Sequence, residues 1–138
     1  MRTVRKILTA SLVAAASAAA TIGTVPAAHA DDFRGCKTPH FCFYETYEDY
    51  SQATPTAKYR TITNRYQKLG PGAYGARVGR NASNRNRAYI RFTFGGKVYD
   101  QCVNPNSWFW LGAPSMTVTH IRIDREAACP APGAAAVS

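Results

Sequence analysis

Four cysteines, Cys36, Cys42, Cys102 and Cys129, are the residues of this sequence with the widest choice of chemistry. Their thiols could form disulfides, hold a metal ion or act as a nucleophile, and four cysteines allow three disulfide pairings. A zinc site would have to group Cys36 and Cys42 with His40, but this spacing is not a regular zinc pattern. The choice between thiol and disulfide therefore depends on the compartment in which the chain folds.

Residues 1–30 predict export. Three basic residues (Arg2, Arg5 and Lys6) precede an uncharged, alanine-rich stretch over residues 7–25, and Ala-His-Ala at 28–30 supplies the small residues that a signal peptidase requires. In an oxidising compartment cysteines form disulfides rather than metal thiolates or a catalytic thiol. We predict a secreted protein without a membrane span in its mature part. We predict local pairing of the cysteines, Cys36 with Cys42 and Cys102 with Cys129.

Acid–base catalysis is the second chemistry to weigh, since a small basic secreted protein could be a ribonuclease. That reaction needs a general base, a general acid and cations that hold phosphate. The candidates are His40, His120, Glu45 and Glu48, but they do not follow the Glu…Arg…His order of such nucleases. The sequence also lacks a G-x-S-x-G nucleophile motif. We therefore predict a protein that is not an enzyme and needs no cofactor.

Charge is concentrated in one block. After residue 30 the chain has 14 basic residues (17 minus the three of the signal) and 8 acidic ones, so its net charge is +6. The segment 58–97 contains ten basic residues and no acidic one, which predicts a positive face. Its partner would be an anionic polymer or an acidic protein, although such charge also serves solubility. We take Arg80, Arg85, Arg87 and Arg91 as the central residues of this basic face.

The segment that positions these residues is a single small domain over residues 31–129, followed by an Ala/Pro-rich tail at 130–138. Short runs rich in aromatic and β-branched residues alternate with Gly, Pro and Asn, which predicts an all-β fold. Spacing of three between Tyr44, Tyr47 and Tyr50 predicts a change from strand to loop. The expected strands cover residues 41–45, 57–63, 74–78, 88–94, 97–103, 107–111 and 116–124.

The clearest unit is a hairpin over residues 88–103. Gly95-Gly96 suits a two-residue turn, and alternation before it predicts that Ile90, Phe92 and Phe94 face the core. In the last strand Val118 and Ile121 would point to opposite faces unless a β-bulge intervenes, so a bulge is predicted there.

A family resemblance follows from these residues. Cys36-x5-Cys42-Phe43-Tyr44-Glu45 is followed by a glycine-rich middle, the strand 89–94 and a Gly96-x5-Cys102 segment. This pattern resembles the small secreted actinobacterial metalloproteinase-inhibitor family, whose fold is βγ-crystallin-like. The resemblance covers roughly residues 36–123. It implies a disulfide-stabilised Greek-key sandwich that binds an extracellular peptidase, and we expect a monomer.

The resemblance also implies a reactive loop. In the family's prototype the enzyme meets a Cys-Val bond, and Cys102-Val103 holds the matching place here, with Asn104-Pro105 behind it. Such a loop binds well when it is stiff, because little entropy is lost on docking. This sequence departs from the pattern, since no second cysteine follows Cys102 within a few residues. The alternative interpretation is a structural disulfide on a core strand.

Two other features could bind ligands. The crystallin type of calcium site would use Asn81, Ser83, Asn84 and Asn86, but their neighbours are arginines without a nearby carboxylate, so we expect no metal. Trp108 and Trp110 would share one face of a strand. They either pack in the core or form an exposed anchor for a protein or a glycan.

Overall fold

The computed structural model describes residues 32–63 and 65–132, so the predicted export signal and residues 133–138 of the tail lie outside it. Over the described residues the fold is all-β, as predicted, with one short helix, α1 (Tyr47–Ser51). The strands are β1 (Phe41–Tyr44), β2 (Ala57–Tyr59), β3 (Gln67–Lys68), β4 (Val78–Asn81), β5 (Ala88–Phe94), β6 (Lys97–Val103), β7 (Trp108–Trp110) and β8 (Thr117–Ile123).

These strands form two antiparallel four-stranded sheets. Sheet 1 has the order β2-β1-β4-β7, and sheet 2 has the order β3-β8-β5-β6. Each sheet turns one face toward a shared core, in which Phe41, Phe43 and Phe109 of sheet 1 meet residues of sheet 2 such as Ile90 and Ile121. Each sheet also has an outer face, and these two outer faces carry most of the aromatic side chains outside the core. The crystallin-like Greek-key assignment stays a prediction.

The predicted hairpin and bulge are confirmed. β5 and β6 pair from Ala88–Val103 to Phe94–Lys97 around Gly95-Gly96. The register of β5 against β8 shifts between Arg91 and Phe92, so one extra β8 residue is accommodated and Val118 and Ile121 are both buried.

One detail of the hairpin was predicted wrongly. Ile90 is buried, but Phe92 is only partly buried and Phe94 is exposed. The strands of sheet 1 have three or four residues, whereas β5 and β6 have seven each. The far end of the hairpin therefore has no opposing sheet to cover it.

Four elements differ from the expectation. The strand expected over 57–63 ends at Tyr59. Residues 74–77 form a turn and loop, and the strand β4 lies instead at Val78–Asn81. The tyrosine series enters α1 rather than a loop, because Thr46 and Asp49 form a capping box that starts the helix. The two-residue strand β3 was not predicted.

Both predicted disulfides are present, Cys36–Cys42 and Cys102–Cys129. Each lies on the outer side of its sheet: Cys42 pairs with Arg80 in sheet 1, and Cys102 pairs with Tyr89 in sheet 2. The bonds are compatible with an extracellular protein. Within residues 32–63 and 65–132, no helix has the length and apolar character needed to cross a membrane.

Candidate binding surface

The predicted reactive bond, Cys102-Val103, lies at the end of β6 rather than in a loop. The side chain of Val103 is 3% exposed and belongs to the core between the sheets. Its carbonyl oxygen accepts a hydrogen bond of 3.2 Å from Asn81 Nδ2. A peptidase could therefore take up this side chain only after β6 had left the core.

The residues that follow form an exposed and well-tethered turn. Asn104 Oδ1 accepts a hydrogen bond from the Cys129 backbone N–H at 2.6 Å, and the Ser107 N–H donates to the Asn104 carbonyl at 3.2 Å. Asn106 has a positive φ of 57°, and its Nδ2 donates to Asn84 Oδ1 at 3.1 Å. With Cys102 cross-linked just before it, this turn (residues 104–107) is stiff, and Val103 is its buried anchor.

β7 follows the turn and places its two tryptophans outward. Trp108 is 57% exposed and Trp110 is 48% exposed, while Phe109 between them is buried. The interpretation of the tryptophans as core residues is therefore wrong, and the alternative of an exposed pair is correct. Phe109 packs directly over Gly79 of the neighbouring strand, where a larger residue would overlap its ring. This close approach holds β7 at the edge of sheet 1 with both indoles in solvent.

Other aromatic rings extend the exposed surface. Tyr47 at the start of α1 is 57% exposed, and its ring centroid is 5.1 Å from that of Trp110. Phe33 is 43% exposed and lies under the Arg80 guanidinium at 4.8 Å from its centroid. Arg80 in turn is the β4 residue paired with Trp108. We call these four rings, Phe33, Tyr47, Trp108 and Trp110, the aromatic surface.

The capping box of α1 explains why Tyr47 is available. Thr46 Oγ1 accepts a hydrogen bond from the Asp49 N–H at 3.1 Å, and Asp49 Oδ2 accepts one from the Thr46 N–H at 2.9 Å. This arrangement starts the helix at Tyr47 and lets Tyr50 pack edge-on against the buried ring of Tyr44, 5.3 Å away. Burial raises the pKa of Tyr44 to about 12. Tyr47 is left to cover one side of Trp110.

The predicted basic face is divided. Arg80 lies on sheet 1, whereas Arg87 and Arg91 lie beside and on β5 of sheet 2. Arg91 forms a two-pronged ion pair with Asp100 at 2.8 and 2.9 Å. Arg87 contacts Asp124 at 3.3 Å and Glu126 at 3.2 Å. Arg85 is exposed in the loop before β5. The acidic residues that pair with Arg87 and Arg91 lie 9 to 39 positions further along the chain. They are outside the block 58–97, so the charge pattern of that block did not reveal the ion pairs.

The outer face of sheet 2 is an alternating stack of arginines and tyrosines. Arg91 lies 3.9 Å from the centroid of the Tyr66 ring, and Arg122 lies between Tyr66 and Tyr89 at 5.3 and 4.3 Å. Arg91 holds the pKa of Asp100 below its ordinary value by donating hydrogen bonds to the carboxylate. Burial, followed by a hydrogen bond with Asp100, raises the pKa of Tyr66 to about 12. The charged and aromatic side chains of this face thus contact one another, and we call it the arginine–tyrosine face.

The residues considered for a calcium site, at which we expected no metal, form a hydrogen-bond network. Asn81 Nδ2 donates to the Asn86 carbonyl at 2.8 Å, and Asn81 Oδ1 accepts from the Ser83 N–H at 3.1 Å. Ser83 Oγ accepts from the backbone N–H groups of Arg85 and Asn86. The side-chain oxygens of Asn81, Ser83 and Asn84 are thus engaged in hydrogen bonds within the protein. In the described part of the chain, no three His, Cys, Asp or Glu side chains gather as metal ligands would.

The candidate nuclease residues are not brought together. His40 precedes β1 and Glu45 follows it, so the four-residue strand separates them by more than about 13 Å. His120 lies on β8 in the other sheet, where its Nδ1 is 2.9 Å from Thr119 Oγ1. Glu48 is exposed on α1.

No protein-family model, curated protein or solved structure matches this chain. We therefore infer its function from the geometry of the two outer faces. Phe33 and Tyr47 are the members of the aromatic surface that sequence reasoning missed. The Thr46-x-x-Asp49 spacing was the signal that could have placed Tyr47 on a helix, whereas nothing local to Phe33 indicated its contact with Arg80.

Proposed function

We propose that this is a secreted binding protein without catalytic activity, which recognises an extracellular protein through the aromatic surface and the turn at 104–107. The observation that carries the proposal is the exposure of Trp108 and Trp110 on one side of an edge strand, with Tyr47 against them. Tryptophan and tyrosine dominate the energetics of protein interfaces, where they act as anchors in well-packed contacts. The Cα atoms of the two tryptophans are about 7 Å apart along the strand, which suits one continuous contact.

The partner class that we favour is an extracellular peptidase, of which the metalloproteinase type agrees best with the family resemblance. The turn contributes two residues of the predicted inhibitory loop, Asn104 and Pro105, on the exposed side of their anchor Val103. The stiff turn and the aromatic strand that follows it are both ordered before an enzyme binds. Little conformational entropy would therefore be lost on docking, as for an inhibitor with a rigid loop. In this proposal the enzyme contacts the turn and the indoles, and Val103 stays in the core.

A titration against a panel of secreted peptidases, thermolysin-type enzymes included, tests the proposal. We expect stoichiometric 1:1 inhibition of at least one metalloproteinase and persistence of the protein without cleavage at Cys102-Val103. An Asn104→Ala/Pro105→Gly variant should weaken inhibition at least tenfold, because it removes the stiffness of the turn. Absence of inhibition and of complex formation with every enzyme at micromolar concentration would overturn the proposal.

Val103 provides the matched control. A Val103→Ala variant removes two methyl groups from the core and should lower stability while leaving the inhibition constant within about threefold, measured where the variant is folded. If Val103→Ala abolished inhibition and Asn104→Ala/Pro105→Gly did not, the enzyme would be binding the Cys-Val bond itself. That result would contradict the contact proposed for the turn.

A further inference from the structure

The loops at one end of the sandwich carry a second surface, which borders the aromatic surface at the turn 104–107. Asn81 ends β4 in sheet 1, and its Nδ2 donates to the carbonyls of Val103, the last residue of β6, and of Asn86. The Thr63 N–H donates to the Ile123 carbonyl at the end of β8. These hydrogen bonds gather the loops of both sheets at the same end. The loops are 37–40, 60–63 with 65–66, 82–87, 104–107 and 124–129.

Five exposed basic residues lie in these loops. None of the five takes part in an ion pair with an acidic residue of the part of the chain that the structure describes, whereas the acids at this end, Asp124 and Glu126, contact Arg87 and Arg122 instead. The five form what we call the basic end: Lys37, Arg60, Arg65, Arg85 and Arg125.

The opposite end of sheet 1 has the opposite charge. Glu45 directly follows β1, and Glu48 and Asp49 lie in the first turn of α1. Since the sequence holds no acidic residue from 51 to 99, the connections that reach the basic end from β2 and β4 bring only positive charge. Sheet 1 is therefore electrically polar along its strands, and this polarity is not apparent from the net charge of the protein.

The basic end is also concave. A cavity of about 240 Å³ opens among its loops, and Arg85 is one of the residues that line it. The remaining lining residues are small or polar: Thr38, Pro39, Ser83, Asn84 and Asn86.

We propose that the basic end binds a linear polymer carrying regularly repeated phosphate groups, and that it does so by charge rather than by reading bases. Four of its five cations are arginines, whose planar guanidinium matches phosphate with paired hydrogen bonds. The loops themselves present no exposed aromatic ring among their described residues on which successive bases could stack, and the exposed indole of Trp108 begins the strand that follows them. This surface would retain the protein on a phosphate-rich polymer and leave Tyr47 and Trp110, at the other end of sheet 1, accessible to a partner.

The experiment measures binding of the purified protein to fluorescently labelled linear polyphosphate of defined length at several salt concentrations. The wild type should bind at low salt and weaken steeply as salt rises. An Arg60→Gln/Arg65→Gln/Arg85→Gln variant should lose at least tenfold in affinity, and the slope of log K against log salt should fall by about 2, as three lost contacts on a single-stranded polymer predict.

A matched variant removes the same charge from elsewhere. Lys58→Gln/Lys68→Gln/Lys97→Gln also replaces three exposed cations, which lie on strands β2, β3 and β6. It should lose less than threefold in affinity. Equal losses in the two variants would overturn the proposal, because binding would then follow net charge alone.

Two competitors define the chemistry of the ligand. Poly-glutamate of equal charge should compete at least tenfold more weakly than polyphosphate, and an oligodeoxynucleotide with the same number of phosphates should compete about equally. Equal competition by poly-glutamate would indicate an acidic protein as partner, and much tighter binding of the oligonucleotide would indicate base recognition; either result would overturn the proposal. Trp108→Ala/Trp110→Ala should leave polyphosphate binding unchanged, which separates this site from the aromatic surface.

Discussion

The two outer faces of the sandwich are built from the same residue types but use them differently. On sheet 2 the rings of Tyr66 and Tyr89 alternate with arginines, and the guanidinium groups are paired with Asp100 and Asp124. On sheet 1 the aromatic surface has Arg80 as its nearest cation, and its indoles are about half exposed. The charged groups of the first face are paired within the protein, whereas the second face exposes large apolar side chains to water.

This difference separates structural residues from binding residues. Aromatic–arginine stacking and ion pairs on the arginine–tyrosine face stabilise the fold, because they join β5, β6 and β8 and the loop before β3. Exposed indoles contribute little to folding, and their burial by a partner would recover the apolar contribution. Variants of the two faces probe this division, and the largest effect on the free energy of unfolding is expected for the disulfides.

Each outer face has one disulfide, and the two should stabilise unequally. Cys102–Cys129 spans 27 positions and Cys36–Cys42 spans six. On the chain-entropy model, replacing the pair by serine should lower the free energy of unfolding by about 3.5 kcal/mol for the longer loop and about 2 kcal/mol for the shorter. Urea unfolding of the two double variants measures both values. A larger loss from Cys36→Ser/Cys42→Ser would contradict the order.

Gly79 tests how sheet 1 supports its exposed strand. A Cβ at this position would overlap the ring of Phe109, which is buried between the two tryptophans. Gly79→Ala should therefore destabilise by about 1–3 kcal/mol and shift β7, because overpacking moves side chains and backbone. Gly112→Ala is the matched control, since its Cβ would find only ordinary contact distances from Trp110. Thermal unfolding should leave the control within 2 °C of the wild type, and equal shifts in both variants would refute the packing argument.

Asp100 tests the arginine–tyrosine face through pH. Its pKa is lowered by hydrogen bonds from Arg91, so the pair stabilises the fold above the ordinary carboxyl pKa of about 4. This stability is lost as pH falls through the lowered folded-state value. Because both side chains are about a third exposed, we expect at most about 1 kcal/mol between wild type and Asp100→Asn at pH 7. The difference should vanish below the folded-state pKa, and a difference that grew on acidification would have the wrong sign.

The aromatic surface should show the smallest effect on stability. Trp108→Ala/Trp110→Ala removes side chains that are about half exposed and should change the free energy of unfolding by no more than about 0.5 kcal/mol per site. Chemical unfolding followed by circular dichroism measures the change. A loss of several kcal/mol would mean that the indoles are part of the core after all.

Local signals predicted much of the fold. Gly95-Gly96 fixed the hairpin, and the conflict between Val118 and Ile121 indicated the bulge. β4 could not be located from the sequence, because Gly79 and Arg80 interrupt the alternation of apolar and polar residues. A glycine is required at position 79 because the ring of Phe109 packs directly against it. The position of β4 depends on a contact with a residue thirty positions away.

The candidate site was predicted in part. The two residues Trp108 and Trp110 were correctly placed on one face of a strand, but the sequence could not decide whether that face was covered. Whether other elements cover that face depends on how the strands are arranged, and β7 is an edge strand of sheet 1. The same limit applies to Val103, which strand β6 carries into the core. Ion pairs such as Arg91–Asp100 were hidden because they join residues on different strands.

The most direct test of the division between the two faces is an inhibition titration that compares one variant from each. For a peptidase that the wild type inhibits, Trp108→Ala/Trp110→Ala should raise the inhibition constant at least 100-fold with little change in stability, as interface anchors of this type do. Arg91→Gln/Arg122→Gln should lower stability and leave the inhibition constant within about threefold. Inhibition by the tryptophan variant at wild-type strength, or its loss in the arginine variant while that variant is folded, would contradict the account.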